Sequence, residues 1–275
     1  MTQEYIYDTG SELGTQQVNY LADLLDGPTT RFLEETGVGP GWRCLDVGAG
    51  FGSITRWLAE RVGSEGRTVA VDLATDHLAA IPGVEAYRHD INDGLPDAGD
   101  GPYDLIHARL VLLHLPRREE ILKMLVGALA PGGWLVLGDF SGREFTALEA
   151  PSEADRDLWH RFFHSAHHVA APKAGLSTTW AHEAYGQMAA AGLTELHAVE
   201  HSETSRGGTT GCLLYANYIA QIGPLLREAG TSAEELARLT ELMAEPRFVT
   251  WHYQCVFTRG RKNGSRGQEK QPGRQ

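Results

Sequence analysis

Asp46, Gly48, Gly50, Gly52 and Asp72 carry the strongest chemical signal in the chain. They lie in Cys44-Leu-Asp-Val-Gly-Ala-Gly-Phe-Gly52 and Val69-Ala-Val-Asp72. These segments predict a buried strand, a glycine-rich turn opening a helix, and a second buried strand ending in a carboxylate. A dinucleotide fingerprint spaces its glycines GxGxxG, because a helix N-terminus must meet a pyrophosphate at close range. Here the spacing is GxGxG, and Ser53 stands where the third glycine would fall. A fixed carboxylate at Asp46 would repel a pyrophosphate and suit a ligand carrying an ammonium and a sulfonium. The glycines admit close backbone approach, and the amides near Phe51 to Ser53 can offset a ligand carboxylate. Asp72, 20 residues after Gly52, is placed to accept hydrogen bonds from ribose hydroxyls. S-adenosylmethionine meets each of these requirements.

Histidine placement is the second signal. Seven of the 12 histidines lie between His160 and His201. His160, His164, His167 and His168 share one face of a predicted helix, while Leu158, Trp159, Phe162 and Phe163 lie mostly on the other. Three readings stay open: a polar solvent face, a helix lining the substrate cleft with His164 or His168 as base or hydrogen-bond partner, and a metal site. No nearby carboxylate or cysteine pattern supports the third, so no metal is expected. His107, at the ligand end of the fourth predicted strand, is a separate candidate base. His114 reads as a packing or helix-start residue. Trp180, Tyr185, Tyr215 and Tyr218 fall in segments that could line an aromatic pocket or serve ordinary helix packing.

These residues need a frame. Residues 1–40 read as a helical lid, with Val18, Leu21, Leu24 and Leu25 at helical spacing and a second helix starting at Pro28. Strand–helix alternation over 41–140 predicts a parallel sheet with helices on both faces, the cofactor-binding core. Residues 141–192 read as a helical cap insertion, including one long helix over 151–170 with Ser152 as N-cap. Residues 193–259 supply the remaining core strands, 193–201 and 248–258, around further helical cap at 205–245. The basic, polar stretch 260–275 reads as a disordered tail.

Composition narrows the setting. A formal net charge of −12 over 275 residues opposes nucleic acid as a partner. No run of 18 apolar residues suggests a membrane span, and MTQEYIYDTG lacks signal-peptide character. Cys44, Cys212 and Cys255 form no CxxC and read as reduced, buried thiols. A cytoplasmic location without a membrane partner is expected.

LDVGAGFG, VAVD, the Asp90-Ile91 pair, YDLIHARLVLLHLP and LAPGGWLVLGDF occur in the order and spacing of class I S-adenosylmethionine-dependent methyltransferases. The stretch of roughly residues 40–140 resembles the small-molecule branch, including ubiquinone-type and natural-product methyltransferases. The resemblance implies an α/β fold: a Rossmann-like, doubly wound, seven-stranded, mostly parallel sheet with an antiparallel last strand beside the fifth, plus a helical cap. It implies that Asp46 meets the methionine end of the cofactor and that Gly48, Ala49 and Gly50 give backbone contacts. Asp72 would hold the ribose, Leu73 would lie against the adenine, Asp90 would accept from the adenine amino group, and Ile91 would flank the ring. Ala108 and Arg109 would lie near the methionine carboxylate or sulfonium, unless Arg109 serves a surface ion pair. Tyr7 and Tyr20 are further candidates from the N-terminal helices.

The implied activity is methyl transfer from S-adenosylmethionine to a small-molecule acceptor, an aromatic or natural-product metabolite, by in-line displacement. Alignment can supply about 7–11 kcal/mol of such a barrier, and a base is needed only if the nucleophile must lose a proton. The same residues suit an enzyme that uses the bound sulfonium for another reaction, such as a cyclisation, or a non-catalytic regulator. Fold alone does not choose among them. Caps on this fold often meet a second subunit, so a homodimer is an option.

Overall fold

The apolar run Val69–Val71 lies at the centre of a sheet covered on both faces, which is why it does not alternate with polar residues. The computed structural model describes residues 11–264 except 100, 145 and 253. Helix α1 (Glu12–Glu34) leads into β1 (Arg43–Val47), α2 (Ser53–Val62), β2 (Arg67–Asp72), β3 (Val84–Arg88), β4 (Tyr103–Arg109), α3 (Arg118–Ala128) and β5 (Leu129–Phe140). There follow β6 (Ala147–Glu149), α4 (Glu153–Ser165), the short α5 (Ala171–Lys173), α6 (Trp180–Ala190), β7 (Leu193–His201) and β8 (Thr204–Arg206). The described chain closes with α7 (Thr210–Glu228), α8 (Ala233–Ala244), β9 (Val249–Trp251) and β10 (Cys255–Lys262).

The main sheet runs β3-β2-β1-β4-β5-β10-β7. Its first five strands are parallel, and β10 is antiparallel to both neighbours. This is the expected seven-stranded, doubly wound arrangement. The order reverses between β1 and β4, which leaves a crevice at the carboxyl ends of those strands. On one face Leu45, Val69 and Ile106 meet Leu125 of α3 and Trp180 of α6. On the other, Cys44, Leu105 and Val136 meet Leu25 and Leu33 of α1 and Leu58 of α2. A separate apolar core joins α4, α7 and α8 into the cap through Trp159, Phe163, Tyr215 and Phe248.

Four expectations change. Helix α1 runs unbroken through Pro28. A proline costs one backbone bond, but Thr29 and Thr30 bond back to the carbonyls of Leu25 and Asp26. Buried Leu25, Phe32 and Leu33 hold one face on both sides of it. The helix predicted over 151–170 ends at Ser165 and passes into a π-turn over Ala166–Ala170. The last core strand starts at Cys255, while Val249–Trp251 pairs in a small second sheet, β6-β9-β8. That last strand also continues through Gly260 to Lys262, where Arg261 Nε donates to Gly132 O (2.9 Å) and Lys262 Nζ to Leu129 O (2.7 Å). The basic residues Arg261 and Lys262, read as tail, thus belong to an inner strand of the sheet; residues 265–275 lie outside the described ones. Cys44, Cys212 and Cys255 are buried and unbridged. Among the described residues, no helix is long and apolar enough to cross a membrane.

Candidate cofactor and acceptor site

The glycine loop is fastened to the end of β2. Gly48 N–H and Ala49 N–H donate to Val71 O (2.8 and 3.2 Å). Gly50 N–H donates to Asp72 Oδ2 (2.9 Å), and Ala74 N–H to Asp72 Oδ1 (3.1 Å). Burial pushes the Asp72 carboxyl up from its ordinary range, opposed by those amides. Each carboxylate oxygen has a further lone pair for a ribose hydroxyl. Gly48 has φ +66°, and a Cβ there would come 2.2 Å from Val111 Cγ2. The loop can therefore close against the segment leaving β4 only as glycine.

Leu73 is 55% exposed and Phe51 36%, large apolar side chains beside the Asp72 carboxylate. Phe51 stands edge-on to His77, whose ring also contacts Gly50 O. Ile91 is buried, and Asp90 Oδ1 accepts from Asn92 N and Nδ2, both 2.9 Å. Hydroxyl-accepting carboxylates next to an uncovered apolar shelf fit the two parts of a nucleoside. The residues present therefore fit the adenosine of S-adenosylmethionine.

Asp46 occupies a different position from the one implied. It is 2% exposed, with Oδ2 accepting from Thr55 Oγ1 (2.5 Å) and Oδ1 from His107 Nδ1 (2.7 Å). Its charge therefore acts from beneath the glycine loop and not by open contact. His107 corrects in the same way. It is buried at 2% and bound to Asp46, so it positions that carboxylate and has no open face for a base. Arg109 turns to α1, donating to Asp26 Oδ1 (2.9 Å) and Thr29 Oγ1 (2.8 Å). It takes the ion-pair alternative and anchors the helix. Ala108 is fully buried and offers the crevice nothing beyond backbone. Tyr20 packs against the cap core, and Tyr7 lies outside the described residues.

Just past β4, Leu110 takes φ +58°, a left-handed conformation that costs a non-glycine residue about 1–3 kcal/mol. Its N–H is held by Gly138 O at 2.8 Å. Leu110 is one wall of an apolar cavity of about 90 Å³. The cavity is closed by α1, the 140–142 segment, the α4–α5 region and α7, with Gln17, Ser141, His167 and Thr178 as polar points. Ser141 Oγ accepts from Arg143 N–H (3.1 Å) and bonds His182 Nε2 (2.7 Å). His167 was grouped with a solvent face by helical spacing. The π-turn swings it inward, where its ring stacks on Phe163 and Nδ1 donates to Phe163 O (3.0 Å). Burial lowers its pKa to about 4, leaving Nε2 as an acceptor at neutral pH. His114, also on the wall, is lowered to about 4 by burial, with Arg118 adding to the effect.

His164 and His168 do not reach the cavity. Both are exposed, beside Glu144, which corrects their reading as bases. Among the aromatic candidates only Tyr218 lines the cavity; Trp180 and Tyr215 are core residues and Tyr185 is 45% exposed. Gln17 and Ser141 escaped sequence reasoning. The one signal for Gln17 was a polar residue four before Leu21 on an apolar helix face.

Residues 45–135 match a family described as "Methyltransferase domain". The methyltransferase GfsG of Streptomyces halstedii is 30% identical over 129 residues, 44% of this chain and 46% of that protein. The methyltransferase str2 of Strobilurus tenacellus is 30% identical over 120 residues, 42% of each. The ubiquinone/menaquinone biosynthesis C-methyltransferase UbiE of Ectopseudomonas mendocina is 29% identical over 133 residues, 43% and 52%. The chain thus spans about half the length of these relatives. In structure it is similar to a cyclopropane-fatty-acyl-phospholipid synthase-like protein from Lactobacillus casei (TM-score 0.52, 18% identity, 90% of each chain). It is also similar to YcgJ from Bacillus subtilis (TM-score 0.51, 13% identity, 86% of this chain and 98% of that one). These structures share the fold. Motif order, sheet order and the domain match identify residues 45–135 as a class I S-adenosylmethionine-dependent methyltransferase domain.

Proposed function

We propose that the protein transfers a methyl group from S-adenosylmethionine to a small, mainly apolar molecule held in the cavity beyond Leu110. One observation carries this reading: Leu110 and Phe140, at the carboxyl ends of β4 and β5, line the cavity, Leu110 one residue from the Val111 that packs on Gly48, and the remaining walls come largely from α1, the α4–α5 region and α7. The cofactor supplies an activated methyl on a sulfonium. The chain's own residues bind and align. Leu113, Phe140, Phe162 and Tyr218 enclose the acceptor and exclude water. Gln17, His167 and Ser141 offer hydrogen bonds that orient a polar group on it. Where the acceptor must lose a proton, Ser141 can take it and pass it to His182, which is exposed to solvent. The name of one relative, a C-methyltransferase, keeps carbon among the acceptor atoms, and a carbon acceptor would use the same enclosure. Incubation with methyl-labelled cofactor and a fractionated extract of aromatic and polyketide-like metabolites tests this. Label in an apolar product is expected. A new product without label would sink the methyl-transfer reading, and label only in large or highly charged products would sink the apolar acceptor.

A further inference from the structure

His164 and His168 sit on either side of the junction between α4 and the π-turn, four residues apart. The sequence shows no carboxylate beside them, yet the segment leaving β5 brings Glu144 there from 20 residues away. Glu144 Oε1 lies 3.0 Å from His164 Nδ1 and 3.3 Å from His168 Nε2. One ligand atom from each residue falls within 4.8 Å of the other two. All three side chains are about half exposed or more. An exposed ion pair is worth ~0–1 kcal/mol, little reason to converge two imidazoles on one carboxylate oxygen. A tetrahedral zinc ion with bonds of ~2.0–2.1 Å keeps its donor atoms ~3.3 Å apart, close to the two distances from Glu144 to the histidines. Arg143, the neighbour of Glu144 in sequence, turns instead to Glu200 (3.3 Å).

We propose that Glu144, His164 and His168 bind a divalent transition-metal ion, and that this ion clamps the segment after β5 to the end of α4. Two imidazoles and one carboxylate match Zn²⁺ and poorly match Mg²⁺ or Ca²⁺, which prefer all-oxygen sites. The fourth position is open to water. The clamp has a place to act: Ser141 and Gly142 on one arm, and Phe162, Ala166 and His167 on the other, are walls of the cavity. A bound ion would tie those walls together from outside. The assignment does not depend on methyl transfer.

Titration of the tag-free full chain with Zn²⁺ alone tests the site. One equivalent should bind, and His168→Ala or Glu144→Gln should weaken it about tenfold or more, while His197→Ala should not. With Co²⁺, the visible absorption of a tetrahedral site should appear in wild type and vanish in the His164→Ala/His168→Ala double variant. Zn²⁺ should slow hydrogen exchange over 141–146 and 162–171 in wild type but not in that variant. No saturable binding, or binding unchanged in the double variant, overturns the site. Binding without exchange protection overturns the clamp.

Discussion

The Asp72 carboxylate does two jobs at one place, since it holds the Gly50 and Ala74 amides and is the group that a ribose must reach. Asp72→Ala should therefore weaken S-adenosylmethionine binding by about 1–3 kcal/mol, read by calorimetry, and an affinity equal to wild type would place the ribose elsewhere. Two glycines of the loop separate conformational strain from collision. Gly50 has φ +55° and nothing within 4 Å of a Cβ, while Gly48 has φ +66° and Val111 Cγ2 at 2.2 Å. Gly48→Ala should lower both thermal stability and cofactor affinity more than Gly50→Ala does; equal effects would remove Val111 from the account. These residues were legible in the sequence because their spacing alone encodes a strand–turn–helix. The partners of Asp46 and Arg109 were not. His107 is 61 residues from Asp46 and Asp26 is 83 from Arg109, and no local pattern reports a contact of that reach.

At the scale of elements, α1 forms part of the cavity wall only if it stays against the sheet, and Arg109 is its polar tether there. Arg109→Met keeps most of the apolar stem and removes both hydrogen bonds. Hydrogen exchange over Glu12–Glu34 should speed up, with a loss of about 1–3 kcal/mol in urea unfolding; unchanged exchange would mean that apolar packing alone seats the helix. The strand–helix alternation and the strand over 193–201 followed from hydrophobic patterning, and the buried thiols from cysteine spacing. The π-turn did not, because spacing arguments assume 3.6 residues per turn, and one widened turn sends His167 inward while His164 and His168 stay out. The last strand was misplaced for a similar reason. Arg261 and Lys262 read as tail residues, yet both find carbonyl partners across the sheet.

Over the whole molecule, buried ionisable groups set a pH dependence. His114 and His167 are lowered to about 4, so the unfolded chain takes up their protons first, and their contribution to stability is lost as pH falls from 6.5 towards 4. Asp139 is the opposite case. Burial raises it to about 8, so the unfolded chain ionises while the folded one stays protonated, and stability is lost as pH rises from about 4 to 8. Above pH 6.5 the histidine effect no longer changes, and Asp139 contributes a loss of up to about 2 kcal/mol between pH 6.5 and 8. Asp139→Asn should flatten that decline in denaturant midpoints taken at pH 6.5, 7 and 8, and an unaltered slope would assign it to another group. The sheet order has a further consequence, for synthesis. The strand between β5 and β7 is the last of the ten to be translated. Until it leaves the ribosome, the nascent chain carries β5 with one whole row of backbone donors and acceptors unpaired, in an apolar strand that neighbouring polypeptides can extend. The core of this sheet is therefore closed from its middle and only after its other strands have been made, and a chain that stops short of Cys255 keeps an adhesive seam.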